Sequence, residues 1–426
     1  MKLIGWWRRR PTIVEAPVAD EPEAPEPSAS EPFDAAAVLQ ELQACEELDG
    51  FLSLLEQHLE QLLEEGHREP VARVLRQVDA WVQRQSVRSA IVLARLGNAF
   101  QGLAQGRGGP DCRRALRLYE QALAEYRQGG ELEGTAILMN NMGLAYAELA
   151  SAEPELFRQA IPLLEEALEY YEQQTDAGRK AAICLTLGEA YAGLAEPGPD
   201  HLELARECYE KARSLSEAEG SAVEQAAAQR RLGEVQLELA LFQGVEALDR
   251  AVQHFRNALA LLPVETEPER RGLAHGHLAR ALAALAPHQD QGSRRLDEAI
   301  EERRTGLELL RRCGSRGLAA EACVDLAETH LSVDGEEPET HLSLALELAR
   351  EARQAGRELH LAAVQARAAE VLGRIYLAAG AECERADVEQ ALTFFEEAAR
   401  VYLRANLNTR YEEIQGRLRE ARALLS

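Results

Sequence analysis

Chemistry in this chain would have to come from a few residues. His275 and His277 in AHGHLA stand two apart. On a helix that spacing turns the two rings in different directions, so they cannot share a metal ion. No HExxH occurs. Cys323 and His330 are seven apart, on one helical face but about two turns from each other, too far for a thiolate–imidazole dyad. The stretch QGRGGPD (105–111) is glycine-rich but lacks the Lys-Ser/Thr of a phosphate loop, and it reads as a flexible turn. Carboxylates are so abundant that pairs arise by accident, and no motif singles one out. No catalytic residue, metal site or cofactor is assigned, and a non-enzymatic role is expected.

The elements that would position any site are helical. Among 426 residues, 46% are apolar and only 5% aromatic, and Ala, Leu, Glu and Arg dominate. That mixture favours helix and supports few strands. The net charge of −25 argues against general nucleic-acid binding and against broad adhesion to anionic membrane. Three lysines (Lys2, Lys180, Lys211) stand against 44 arginines, a bias of the kind GC-rich bacterial genomes produce. The seven cysteines form no CxxC pair. Scattered through helical patterns, they read as buried or half-buried free thiols of a reducing cytoplasm. No apolar run approaches the roughly 18 residues of a membrane span, and MKLIGWW is too short for a signal-peptide core.

Residues 1–33 differ from the rest. The tip MKLIGWWRRR carries Trp6, Trp7, Arg8, Arg9 and Arg10. The segment after it, 11–33, is rich in Pro and Glu and reads as an extended linker. Three roles are open for the tip: weak peripheral docking on a membrane surface, docking in a partner's pocket, or lying back on the acidic body. A start without a role is the fourth reading. Residues 34–85 carry apolar stripes, Leu55, Leu59, Leu62 and Leu63, then Val71, Val74, Leu75, Val78, Trp81 and Val82. They predict a helical cap or a degenerate repeat, with Trp81 in the core.

From 86 to 407 one phrase recurs. Its small residue falls at Gly97, Gly143, Gly188, Gly233, Ala279, Ala327 and Gly373, at spacings of 45–48. A second phrase begins at Ala115, Ala160, Ala205, Ala251, Ala299, Ala345 and Ala391, with another small residue always seven further on. A small residue inside a helix lets a neighbour approach closely. A bulky one, such as Tyr146 or Tyr119, fills the adjacent gap. Each unit is therefore expected to be two antiparallel helices packed small against large. One pair cannot bury its apolar faces alone, whereas stacked pairs can. SAEPE (151–155), EPGPD (196–200), LPVETEP (262–268) and DGEEP (334–338) supply the breaks. Residues 408–426 predict a capping helix, amphipathic through Tyr411, Ile414, Leu418 and Ala421, with Thr409 and Glu412 as its capping box.

LGEAY (187–191) and MGLAY (142–146) resemble the first helix of the tetratricopeptide repeat, and YEQAL (119–123) and FFEEA (394–398) its second. The resemblance covers roughly 90–405. Its usual unit is about 34 residues, so these longer repeats are more similar to the arrays that precede CHAT peptidase domains in bacteria, although no peptidase domain is present here. The fold implied is all-α, a right-handed α-solenoid of about seven helix-turn-helix repeats with helical caps. Its inner groove, lined by first helices, binds peptides or partner proteins. Asn98 and Asn141 match the two asparagines with which some members grip an acidic peptide terminus. The cationic positions of that clamp carry Ala94, Ala182 and Thr186 instead, so the clamp itself is not implied.

A peptide-binding groove is expected at Asn98, Asn140, Asn141, Glu189, Arg230, Glu234, Arg280, Glu328, Glu370 and Arg374. The asparagines could hold a peptide backbone or be satisfied by a neighbouring helix. The mixed signs, set in an acidic chain, favour basic over acidic partners. The expected function is a cytoplasmic protein-interaction scaffold or adaptor with a tethered docking tip. The rival is a regulatory peptide receptor whose array closes on a signalling peptide or on its own tail.

Overall fold

The computed structural model describes residues 37–38, 40–41 and 48–425, apart from 65–66, 85–88, 105–108, 151–152, 195–197, 264, 289–291, 334–337, 379–384 and 405–407. The tip with Trp6, Trp7 and Arg8 to Arg10, its linker, Cys45, Cys383 and the first four residues of QGRGGPD lie outside the described residues. Every regular element among the described residues is helical.

The chain divides into two compact units, 1–197 and 198–426. Unit 1 holds α1 (Leu48–Glu64), α2 (Arg68–Arg84), α3 (Ala90–Ala104), α4 (Pro110–Gly129), α5 (Leu132–Ala150), α6 (Phe157–Glu172) and α7 (Ala177–Ala192). Unit 2 holds α8 (Pro199–Ala218), α9 (Ala222–Gln243), α10 (Val245–Leu261), α11 (Pro268–Leu285), α12 (Gly292–Arg312), α13 (Arg316–His330), α14 (Pro338–Glu358), α15 (Ala362–Tyr376), α16 (Arg385–Arg404) and α17 (Asn408–Ala423). The division falls at EPGPD, inside the repeat array, where the sequence marks a break but no domain boundary.

Proline and glycine set the ends. Pro110, Pro199 and Pro268 open their helices, where the missing N–H costs nothing. One cap recurs between a second helix and the next first helix. Gly130, Gly220 and Gly314 take a left-handed conformation. Each donates its N–H three residues back, and the next residue donates five residues back. His360 occupies the same place after α14 with φ 56°, and Leu361 N–H reaches the Gly356 carbonyl at 2.8 Å.

The small-against-large seam is present. A Cβ placed on Gly97 would meet the Tyr119 ring, on Gly143 the Leu164 side chain, on Gly233 the Phe255 ring and on Gly373 the Phe395 ring. All four partners stand four residues past the opening Ala of the second phrase. Each pair, α3/α4, α5/α6, α9/α10 and α15/α16, thus closes over the same contact. Tyr146 does not serve this way and is only half-buried. The second helix of each pair also packs on the first helix of the next, and first helices of successive pairs touch, as α5 with α7 and α13 with α15. In repeat five the second marker is Gly306, whose missing Cβ faces the Gly272 carbonyl. In repeat six the bulky residue is replaced by Ala349, which is fully buried.

The ends differ in detail from the sequence reading. Ile414, Leu418 and Ala421 of α17 are buried with Phe395 and Tyr402, which covers the last pair. Its helix already includes Asn408 and Thr409, so Thr409 lies in the first turn and not at a cap. Trp81 is 44% exposed. On α2, Val71, Val74, Leu75 and Val82 turn inward, and Trp81, one step of about 100° from Val82, is carried off that face. Cys112, Cys184, Cys208 and Cys323 are buried or half-buried free thiols, but Cys313 is exposed in the turn after α12.

Candidate functional site

All ten groove residues expected from the sequence fall on first helices: α3, α5, α7, α9, α11, α13 and α15.

In unit 1 the asparagines meet each other. The Tyr119 hydroxyl of α4 lies 2.8 Å from Asn98 Oδ1 and 2.7 Å from Gln101 Oε1. Asn141 Nδ2 donates to the same Asn98 oxygen at 3.0 Å. One ring therefore both fills the space over Gly97 and fixes the amides of two successive repeats. The buried Oδ1 of Asn140 has no hydrogen-bond partner. Glu189, on α7, is half-buried.

In unit 2 the expected residues belong to a longer set of charges. Arg230 and Arg231 of α9 both hold Glu234, and His277 Nε2 of α11 lies 3.3 Å from Glu234 Oε1. Burial pushes Glu234 up, but Arg230, His277 and Arg231 outweigh it and leave its carboxyl below the ordinary range. Burial carries His277 down to about 4 in spite of Glu234, so its ring is neutral at pH 7. That ring stacks on Phe255 with centroids 5.6 Å apart. His275 turns instead to Glu302 on α12, as the two-residue spacing requires.

Further along, Arg303 of α12 reaches Asp325 of α13 at 3.1 Å. Arg367 of α15 holds Asp325 at 2.7 Å and Glu328 at 2.9 Å. Arg303 is almost wholly buried, burial lowers its pKa, and its Nε has no partner. Glu370 of α15 is buried. It accepts the Tyr402 hydroxyl at 3.0 Å and lies 3.3 Å from Arg417 Nε of the capping helix. The sequence reading missed Arg303, Asp325, Arg367 and His277 in this set. Arg303 carried a signal, because it stands at the bulky position where five of the other six repeats have a ring or Leu. What was lacking was its acidic partner on the next first helix.

Among the charged residues of these helices that make no ion pair among the described residues are Glu238, Arg280, Glu321 and Arg374. Partial desolvation raises Glu238, with Arg280 opposing it, and raises Glu321, aided by Asp325. Thiol chemistry is disfavoured where thiols are buried. Burial first, then Glu351, pushes Cys323 up to about 12, and burial with Glu148 does the same to Cys112, which keeps both protonated. No cluster of three metal-ligating side chains occurs among the described residues, and no helix among them is long and apolar enough to cross a membrane.

No family model matches the chain, and no curated protein matches it in sequence. Solved structures resemble it. One is a Rap protein in complex with competence and sporulation factor, at 12% identity over 91% of this chain and 98% of that one, with a TM-score of 0.46. Another is aspartyl phosphate phosphatase F from Bacillus subtilis, at 10% identity over 92% and 96%, TM-score 0.46. A third is a signal-transduction ATPase with a tetratricopeptide repeat sensor from Pyrococcus horikoshii, at 14% identity over 91% and 64%, TM-score 0.46. The helix pairs described above make each unit an all-α stack of paired helices.

Proposed function

We propose that the chain is a protein-interaction scaffold that holds an extended peptide segment of a partner against the exposed faces of its first helices. The observation that carries this reading is the state of the charges there. Glu234, Asp325, Glu328 and Glu370 are each held by arginines of the same pair, a neighbouring pair or the capping helix. The face therefore presents side chains already fixed in place, which lowers the ordering cost of binding. Glu238, Arg280, Glu321 and Arg374 remain to meet a partner's charges. In unit 1, Asn98 Nδ2 and Asn141 Oδ1 remain for a peptide backbone. A net charge of −25 draws basic segments toward this surface. The N-terminal tip with Trp6, Trp7 and three arginines supplies a second contact on a tether, which raises effective concentration at a shared target.

Selection from a displayed random-peptide library tests the reading. The expected result is enrichment of Arg- or Lys-containing sequences that bind one per chain, with affinity that falls as salt rises. A selection that enriches nothing, or only acidic sequences, contradicts it.

A further inference from the structure

Unit 2 has a cavity of about 330 Å³ between α12, α13 and α14, on the side of the α12–α13 turn. Ala319 and Ala355 form part of its floor, and Arg311, Arg316, Glu351 and Glu358 stand around it. Its origin is visible when the same register is read in the other repeats.

Eight residues before the first marker, five successive repeats carry Lys180, Gln225, Arg271, Ala319 and Gln365. Lys180 Nζ donates to the Gln174 carbonyl at 3.1 Å. Arg271 Nη1 donates to the carbonyls of Leu259 and Leu262 at 2.6 and 2.7 Å. Gln365 Nε2 donates to Glu397 at 2.8 Å. In these three repeats an N–H group on an unbranched stem finds an acceptor: in the turn after the preceding second helix for Lys180, at the end of that helix for Arg271, and on the second helix of its own pair for Gln365. Ala319 ends at Cβ and supplies none. Ten residues past the second-helix Ala, the chain has Tyr170, Leu215, Leu261, Leu309 and Val401, but Ala355 in this repeat. Repeat six is cut short at both positions, and the cavity is the space left.

One wall of that space is a carboxylate. Glu351 and Glu397 hold the same register, six past Ala345 and Ala391. Glu397 receives Arg353, Arg357 and Gln365. Glu351 receives Arg311 at 2.6 and 2.8 Å and a hydrogen bond from the Cys323 thiol, and nothing from position 319. A carboxylate offers about four lone-pair directions, so Glu351 keeps room for another donor. Arg316 meets Glu358 at 2.8 Å, so the two ion pairs leave the rim without net charge.

We propose that this cavity binds a guanidinium group on a short aliphatic stem, its N–H groups donating to Glu351 and its stem lying on Ala319 and Ala355. Its contact with Glu351 repeats the one that the Gln365 amide makes with Glu397 in repeat seven. The site stands apart from the first-helix face and does not depend on the function proposed above.

Calorimetric titration of the full chain with agmatine and, separately, with N-acetyl-arginine amide tests it. Saturable one-to-one binding of either is expected. Agmatine alone would assign the site to a free small cation, and the capped arginine would assign it to a partner's side chain. Ala319→Gln, which gives the seam its own amide as repeat seven has, is expected to weaken binding at least tenfold and to raise the thermal midpoint without ligand. Glu351→Gln, at a half-exposed position, is expected to weaken binding at least tenfold with little change in the midpoint. Absence of saturable binding by both probes overturns the proposal, as does an affinity unchanged in Ala319→Gln and Glu351→Gln.

Discussion

The ring of Phe255 occupies the place where a side chain at residue 233 would begin: a Cβ on Gly233 would sit 2.6 Å from Phe255 Cε1. The ring is fully buried and has little room to give. Gly233→Ala should therefore destabilise unit 2 by about 1–3 kcal/mol, the cost of overpacking a filled core. Phe255→Leu makes its own cavity, but in its presence Gly233→Ala should cost much less. A double-mutant cycle by urea denaturation reads that coupling, and strict additivity would mean the two residues do not share one seam.

His360 takes the left-handed place that glycine fills after α4, α8 and α12. A residue with a Cβ costs about 1–2 kcal/mol there, while glycine loses about 0.5–1 kcal/mol of extra chain entropy on folding. His360→Gly should raise stability by about 0.5–1 kcal/mol. A thermal or chemical midpoint lower than that of the parent chain would contradict this.

Glu397 links repeats six and seven. Burial opposes its ionisation, but Arg353, Gln365 and Arg357 hold its carboxyl down to about 2, against an ordinary 4.5. A folded pKa below the unfolded one means a contribution complete above about pH 4.5 and lost as pH falls toward 2. After allowance for screening, the contribution is on the order of 1–2 kcal/mol. The stability difference between the parent and Glu397→Gln should shrink across that window. A difference that stays constant from pH 6 to 3 would show that the three donors do not act on this carboxylate.

Arg303 and Asp325 should respond unequally to substitution. Arg303→Met removes a buried cation whose Nε has no partner, and Asp325 keeps Arg367 at 2.7 Å. A change within about 1 kcal/mol is expected, because well-packed apolar replacements of buried charges are often neutral. Asp325→Ala leaves Arg303 buried without its carboxylate and should cost about 3 kcal/mol or more. Equal losses in the two variants would refute the arrangement.

The repeats were legible because they rest on short-range physics. A glycine and a ring at fixed offsets can be read along the chain, and Gly97 with Tyr119 or Gly373 with Phe395 meet as that reading requires. The breaks at Pro199 and Pro268 were legible for the same reason. Trp81 was not, since its place on α2 depends on which neighbour covers that helix. The candidate face was half legible. Register alone put Glu234, Glu328 and Glu370 on first helices. Their partners Arg367, His277 and Arg417 lie about forty residues or more away, on other repeats or the capping helix, and nothing local to either member announces the pair. The alanines at 319 and 355 were in plain view, but their shortness matters only when two repeats are stacked.

The affinity of a library-selected peptide for two charge-reversed chains tests the central claim most directly. One carries Glu238→Lys with Glu321→Lys on first helices; the other carries Glu246→Lys with Glu308→Lys on exposed second-helix positions. A drop of about tenfold or more in the first chain, and little change in the second, is predicted from two lost charge contacts and the repulsion that replaces them. Equal affinities, or a larger loss in the second chain, would contradict a partner held by the first helices.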